Sequence, residues 1–195
     1  GDVYKRQQLE GGYYHPQMLA DGRVKDQRYA ASGETMYGVD RKAGAGLAIY
    51  DGWNQFWSII DNADAKNKWH WNYMGGSLAP ELKKYMGQIM YGAYKDYTSK
   101  YLSPASQAII DKDPRLVFNF AYAAWNGPGW FSKFAKVMND KVASGVTDRE
   151  QLVDLMVAQR TGSTNSLIKQ GGNKIAKFID TLKSVTVEAV SYTHL

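Results

Sequence analysis

A mainly α fold carrying one small β hairpin near the N-terminus follows from three features of this 195-residue chain. Between residues 53 and 182, apolar side chains recur at i, i+3, i+4 and i+7, the spacing of one helix face. Pro80, Pro104 and Pro114 stand where such periods begin, at positions where a missing amide costs little. From 11 to 50, by contrast, the chain is rich in Gly, Tyr and Asp and lacks a helical period, while "ASGETMYGVD" (31–40) alternates as a short hairpin does.

The elements follow in order. "DGWNQFWSIIDNAD" puts Trp53, Phe56, Trp57 and Ile60 on one helical face, with Asp51 placed to cap it. After Pro80, the series Leu82, Tyr85, Met86, Ile89, Met90, Ala93, Tyr94 and Tyr97 predicts a long helix. Pro104 and Pro114 open two more. The second of these, in "DPRLVFNFAYAAWNGPGWFSKFAKVMND", is apolar nearly all round up to Trp125, which predicts a central position. It breaks at Gly127-Pro128-Gly129 and resumes from Trp130. Thr147 is the expected cap of a helix with Leu152, Leu155 and Met156 inward. "NKIAKFIDTLK" predicts a last helix that starts at "GGN" (171–173).

Composition narrows the function. Apolar residues at 44% and charged residues at 22% describe an ordinary globular chain, so disorder and fibrous classes are excluded. Without cysteine there is no disulfide framework, thiolate metal site or thiol redox chemistry. A net charge of +5 favours anionic partners such as a bacterial wall, and no Lys/Arg run concentrates it as nucleic-acid binding would. No apolar run is long enough to cross a bilayer, and a signal-peptide core is missing, so the chain reads as soluble. "DVYKRQ" (2–7) and "VSYTHL" (190–195) read as foreign ends like translated adapter sequence, leaving 8–189 as the expected single domain.

The residues nominate acids for glycoside chemistry, which works with paired carboxylates. Glu10 follows the apolar Leu9 and precedes Gly11-Gly12, which permit a sharp turn, so it is either a helix-end carboxylate in water or an acid at the lip of a cleft. Asp21, Asp26 and Glu34 lie downstream in the loop and hairpin region as candidates for its partner.

"EGGYY" (10–14) taken together with "SGETMYGVD" (32–40) resembles the muramidases of glycoside hydrolase family 108, phage-type lysozymes. "FAYAAWNGPGWFSKF" is similar to the A-Y-N-x-G-P-G helix break of goose-type lysozymes and lytic transglycosylases. The resemblance spans about residues 9–182. It implies a lysozyme-like fold and hydrolysis of the β-1,4 bond between N-acetylmuramic acid and N-acetylglucosamine in peptidoglycan. It further implies a phage or prophage origin, as an endolysin held in the host cytoplasm until release to the wall or as a virion-associated lysin. No cofactor and no metal are implied. The partner is the peptidoglycan glycan strand, not nucleic acid or a membrane, and the protein is expected to be a monomer. Two alternatives stay open: a lytic transglycosylase acting on the same bond, and a non-catalytic glycan-binding or structural virion module.

By the same resemblance, Glu10 matches the catalytic acid and Thr35 the hairpin threonine that helps position the attacking water. Asp21 is preferred as the second carboxylate. Glu34, Tyr37, Tyr122, Trp125 and Asn126 are expected to contact sugar, with Gly38 completing the "TMYG" segment. The helix end at Asn126 is expected to leave its carbonyls and side-chain amide free for a ligand.

Other features read more plainly. Trp53, Phe56 and Trp57 are expected in the core. Trp69 and Trp71 of "WHW" are expected to pack in a loop. His70 has no second ligand nearby for a metal. Lys83, Lys84, Lys133 and Lys136 are expected on solvated faces.

Overall fold

A computed structural model describes residues 13, 33–42, 44–63 and 74–184, and the structural statements below concern these residues. The fold is mainly α, with a two-stranded antiparallel hairpin near the N-terminus. The chain packs as two compact units, Gly1–Ile89 and Met90–Leu195. Composition does not mark this division, because it falls inside one continuous helix.

In the first unit, β1 (Thr35–Met36) pairs with β2 (Val39–Asp40), Thr35 opposite Asp40 and Met36 opposite Val39. The turn residues Tyr37 and Gly38 have φ of 51° and 76°. Two successive positive φ angles mark the tight turn whose twist suits a hairpin. Glycine adopts that conformation freely; a bulky tyrosine is held there only by its surroundings. A 3₁₀ helix (Ala45–Ile49) then leads to α1 (Trp53–Asn62).

Helix α1 buries Trp53, Phe56, Trp57 and Ile60, the face its spacing predicts. Its start differs from expectation: the cap is Gly52 at φ 93°, with no side-chain hydrogen bond, and not Asp51. A Cβ at Gly52 would stand 2.6 Å from the Tyr85 carbonyl oxygen, so close approach to the next helix selects glycine there. That helix, α2 (Ala79–Tyr101), contributes Leu82, Met86 and Ile89 to the first unit's core and Met90, Ala93 and Tyr94 to the second's.

The second unit continues with α3 (Pro104–Ile110), α4 (Pro114–Asn126), α5 (Pro128–Ala143), α6 (Arg149–Thr161) and α7 (Ser166–Phe178). Ser103 and Asp113 cap α3 and α4, each one residue before the proline that opens the helix. Helix α4 is the centre, with every residue from Arg115 to Ala121 buried. Helix α6 is capped by Asp148, which accepts from the Gln151 amide, in place of the expected Thr147.

The last helix also departs from the sequence reading. It begins at Ser166 under an Asn165 cap, so Gly171 and Gly172 lie in its interior. Packing explains them: a Cβ on Gly172 would fall 2.6 Å from Arg160 Cβ, and one on Gly171 would fall 2.8 Å from the Tyr122 ring. The two glycines let α7 lie against the α6 backbone and against the Tyr122 ring of α4. Among the described residues, no helix is long and apolar enough to cross a membrane.

Candidate functional site

Side chains alternate across a strand, so the hairpin carries two polar pairs on opposite faces. Glu34 and Arg41 flank the Met36/Val39 pair on one face, joined by an Arg41 amide to Glu34 carbonyl bond of 2.8 Å. Thr35 and Asp40 occupy the other. They form the pair without backbone hydrogen bonds, the type in which side chains approach closest. Accordingly Thr35 Oγ1 donates to Asp40 Oδ1 at 2.8 Å.

The Glu34 face builds a chain of charge-assisted bonds. Tyr13, fully buried, donates its hydroxyl to Glu34 Oε2 at 2.6 Å. Arg41 Nη1 donates to Glu34 Oε1 at 2.8 Å and to Asp61 Oδ1 at 2.6 Å, and Nη2 donates to Asp61 Oδ2 at 2.8 Å. The Arg41 guanidinium lies 5.0 Å from the centre of the Trp57 ring, a cation over an aromatic face. The hydrogen bonds Arg41 donates to Asp61, and then to Glu34, outweigh burial and push its pKa still higher, so it is a fixed cation. The series Tyr13–Glu34–Arg41–Asp61 thus ties Tyr13, the hairpin and the end of α1 into one network.

Asp40 is different. Burial raises its carboxyl pKa above the ordinary 3.8, and the Thr35 hydroxyl only partly offsets this. Tyr37, behind the turn, is buried; its hydroxyl donates to the Met74 carbonyl at 2.7 Å, and its ring lies 6.5 Å from Phe56. These contacts hold the strained turn in shape.

In the second unit, the expected break is present: α4 ends at Asn126 and α5 starts at Pro128. Gly127 between them has ψ 166°, extended as a residue before proline should be, but φ 105°, open to glycine almost alone. Asn126 Oδ1 accepts a 2.9 Å bond from Arg160 Nη1. This fully buried arginine also donates from Nε to Asn119 Oδ1 and from Nη2 to the Asn119 carbonyl, both at 3.0 Å. Its guanidinium lies 5.2 Å from the Tyr122 ring centre and 4.7 Å from that of Phe134. Burial lowers its pKa to about 10, which still leaves a cation at neutral pH. Tyr122 is half-buried, with Lys174 5.8 Å from its ring as well; Trp125 is half-buried one residue before Asn126.

The predicted site residues therefore fall into three groups. Glu34, Thr35 and Tyr37 all lie on the hairpin, Glu34 and Thr35 on opposite faces of it, and Tyr122, Trp125 and Asn126 lie on the last two turns of α4. Glu10, Asp21 and Asp26, with Trp69, His70 and Trp71, lie outside the described residues. Sequence reasoning missed Asp40, Arg41, Asp61 and Arg160. The Tyr-Gly turn was a signal for Asp40, since a two-residue turn after Met36 puts Asp40 opposite Thr35. Nothing local marked Arg160, whose partners lie 34 and 41 residues away.

Lys83, Lys84, Lys133 and Lys136 are exposed, Lys136 pairing with Asp140 at 2.8 Å and Lys133 lying 4.8 Å from the Trp130 ring centre. Among the described residues, no cluster of His, Asp or Glu could hold a metal ion. No protein-family profile, curated protein or solved structure matches the chain.

Proposed function

We propose that this chain is a peptidoglycan hydrolase of the lysozyme type, an N-acetylmuramidase with Glu10 as general acid. The observation that carries the reading is the 2.6 Å bond from Tyr13 to Glu34. It couples "EGGYY" to "SGETMYGVD", the two stretches that resemble family 108 muramidases, across 21 positions of sequence. A shared active site requires such coupling, because an acid and the groups that handle water must be held to within a fraction of an ångström. The strained Tyr37 turn on the same hairpin supports the reading, since such strain clusters at functional sites. The protein would serve a phage or prophage, as an endolysin or a virion-borne lysin, acting on glycan strands of the wall.

Purified peptidoglycan incubated with the wild type and with Glu10→Gln tests this. The wild type should release muropeptides with free reducing ends, and the variant should lose two orders of magnitude or more of that activity, the scale of general acid catalysis. Full activity in Glu10→Gln would end the reading. Product mass separates chemistries: hydrolysis adds one water, whereas a lytic transglycosylase yields an anhydro sugar of unchanged summed mass. Binding to the glycan without cleavage by the wild type would point to a non-catalytic module.

A further inference from the structure

We propose that Arg160 is a positioning residue for glycan binding: by holding the carbonyl oxygen of the Asn126 amide, it turns the amide nitrogen outward as a donor to the N-acetyl carbonyl of the substrate. The inference rests on the muramidase reading and uses residues of the second unit alone.

Donor and acceptor inventories fix the direction of the amide. A guanidinium carries five N–H donors and no acceptor, so Asn126 can face Arg160 only with its oxygen; the flipped amide would set donor against donor. Accordingly Asn126 Oδ1 accepts the 2.9 Å bond from Arg160 Nη1. Among the described residues Asn126 Nδ2 takes part in no hydrogen bond, and the buried side-chain nitrogens and oxygens without a partner are Trp57 Nε1 and Thr98 Oγ1, not this atom. The NH2 group of this half-buried residue therefore reaches the surface. The sequence led us to expect the whole amide to be free at the end of α4; its oxygen is occupied, and what remains is a donor.

Arg160 is held still enough to set that direction. Its Nε and Nη2 bond to Asn119 Oδ1 and to the Asn119 carbonyl, both at 3.0 Å, so one planar fork bridges two residues of α4 that lie two helical turns, about 10 Å, apart. The rings of Tyr122 and Phe134 cover the guanidinium and keep water from competing for these bonds. A cation on Oδ1 also polarises the amide, which strengthens its N–H groups as donors.

The surface beside the donor is open. A Cβ on Gly127 or on Gly129 would meet nothing within 4 Å among the described residues. Gly127 is required by its φ of 105°. Gly129, in the first turn of α5, has no positive φ, so neither backbone conformation nor packing calls for glycine there, although glycine weakens a helix. Bare backbone at that position suits the close approach of a ligand. An N-acetyl sugar matches the exposed donor, because its acetamido carbonyl is an acceptor that a plain glucose unit lacks.

The test uses two neutral β-1,4-linked hexamers, chitohexaose and cellohexaose, which carry an acetamido group and a hydroxyl respectively at C2. Binding is read by tryptophan fluorescence within seconds of mixing, for wild type, Asn126→Asp and Arg160→Lys, with urea unfolding of each. The wild type should bind chitohexaose about 10-fold more tightly than cellohexaose, the scale of one hydrogen bond. Asn126→Asp keeps an oxygen for Arg160 and replaces the donor by an acceptor, so it should unfold at nearly the wild-type urea concentration yet bind the two hexamers alike. Arg160→Lys puts a point charge in place of the fork and should lose the preference too. A measurement on the wild type stands apart from the folding of either variant: the assigned side-chain NH2 signals of Asn126 in NMR spectra should move with chitohexaose and not with cellohexaose. Equal affinity of the wild type for both hexamers, unmoved NH2 signals, or a folded Asn126→Asp or Arg160→Lys that keeps the preference would each overturn the assignment. Peptidoglycan cleavage by the wild type in any of those cases would leave the muramidase reading standing. A wild type that neither binds chitohexaose nor cleaves peptidoglycan would overturn both.

Discussion

Arg160 Nη1 lies 2.9 Å from Asn126 Oδ1, so the side chain that ends α4 is gripped by a fully buried cation from α6. All three hydrogen bonds seen for that guanidinium among the described residues end on amide or carbonyl oxygens, and aromatic faces cover it. Removing an acceptor from such a cation leaves a desolvated N–H behind, which costs more than the bond itself contributes.

Asn126→Ala should therefore lose about 1.5–3 kcal/mol, the range for hydrogen bonds to charged groups. Asn126→Asp, which keeps the acceptor and adds a counter-charge, should lose less. Urea unfolding monitored by tryptophan fluorescence measures both. Equal stability of wild type and Asn126→Ala would show that the bond to Arg160 contributes nothing.

Gly172→Ala should be severely destabilising although alanine is the better helix former by about 1 kcal/mol. The added methyl would meet Arg160 Cβ at 2.6 Å and the Thr161 amide nitrogen at 2.9 Å, neither of which is the yielding end of a flexible chain. Overpacking of this kind costs about 1–3 kcal/mol or more. Gly46→Ala is the control: its Cβ would meet nothing within 4 Å, and its melting temperature should stay within a degree or two of the wild type.

Asp113 sets an acid limit on the second unit. Burial pushes its pKa up, but hydrogen bonds from the Arg115 side chain and amide, with the charges of Arg115 and Arg149, outweigh burial and hold it below 3.8. A carboxyl lowered on folding adds stability above its unfolded pKa and gives it up as pH falls through the folded value. Urea midpoints of the wild type should thus drop below about pH 4. Asp113→Asn should be weaker near neutral pH and show a shallower drop; identical slopes for the two would refute the linkage.

Helices with a strong local pattern were readable in the sequence. The spacing of Trp53, Phe56, Trp57 and Ile60 and the prolines at 104 and 114 act through neighbours a few positions away, and these elements appear as expected. What stayed hidden depends on distant partners. Gly171 and Gly172 look like a helix start because glycine is costly inside a helix; only the nearness of α6 and Tyr122 makes them interior. Gly52 caps α1 for a similar reason, since the Tyr85 carbonyl leaves no room for a side chain. Of the candidate site, the hairpin group was legible through Glu34, Thr35 and Tyr37. Asp40 and Arg41 were not, because their significance lies in which hairpin face each occupies.

Strand alternation makes the segment from Thr35 to Asp40 a fixed-length ruler. One residue gained or lost between these two would exchange the faces of Asp40 and Arg41, turning Asp40 towards Glu34 and bringing Arg41 to the threonine side. Lineages carrying this hairpin should therefore record insertions and deletions elsewhere while this short block keeps its length, even where the residues of the turn itself change.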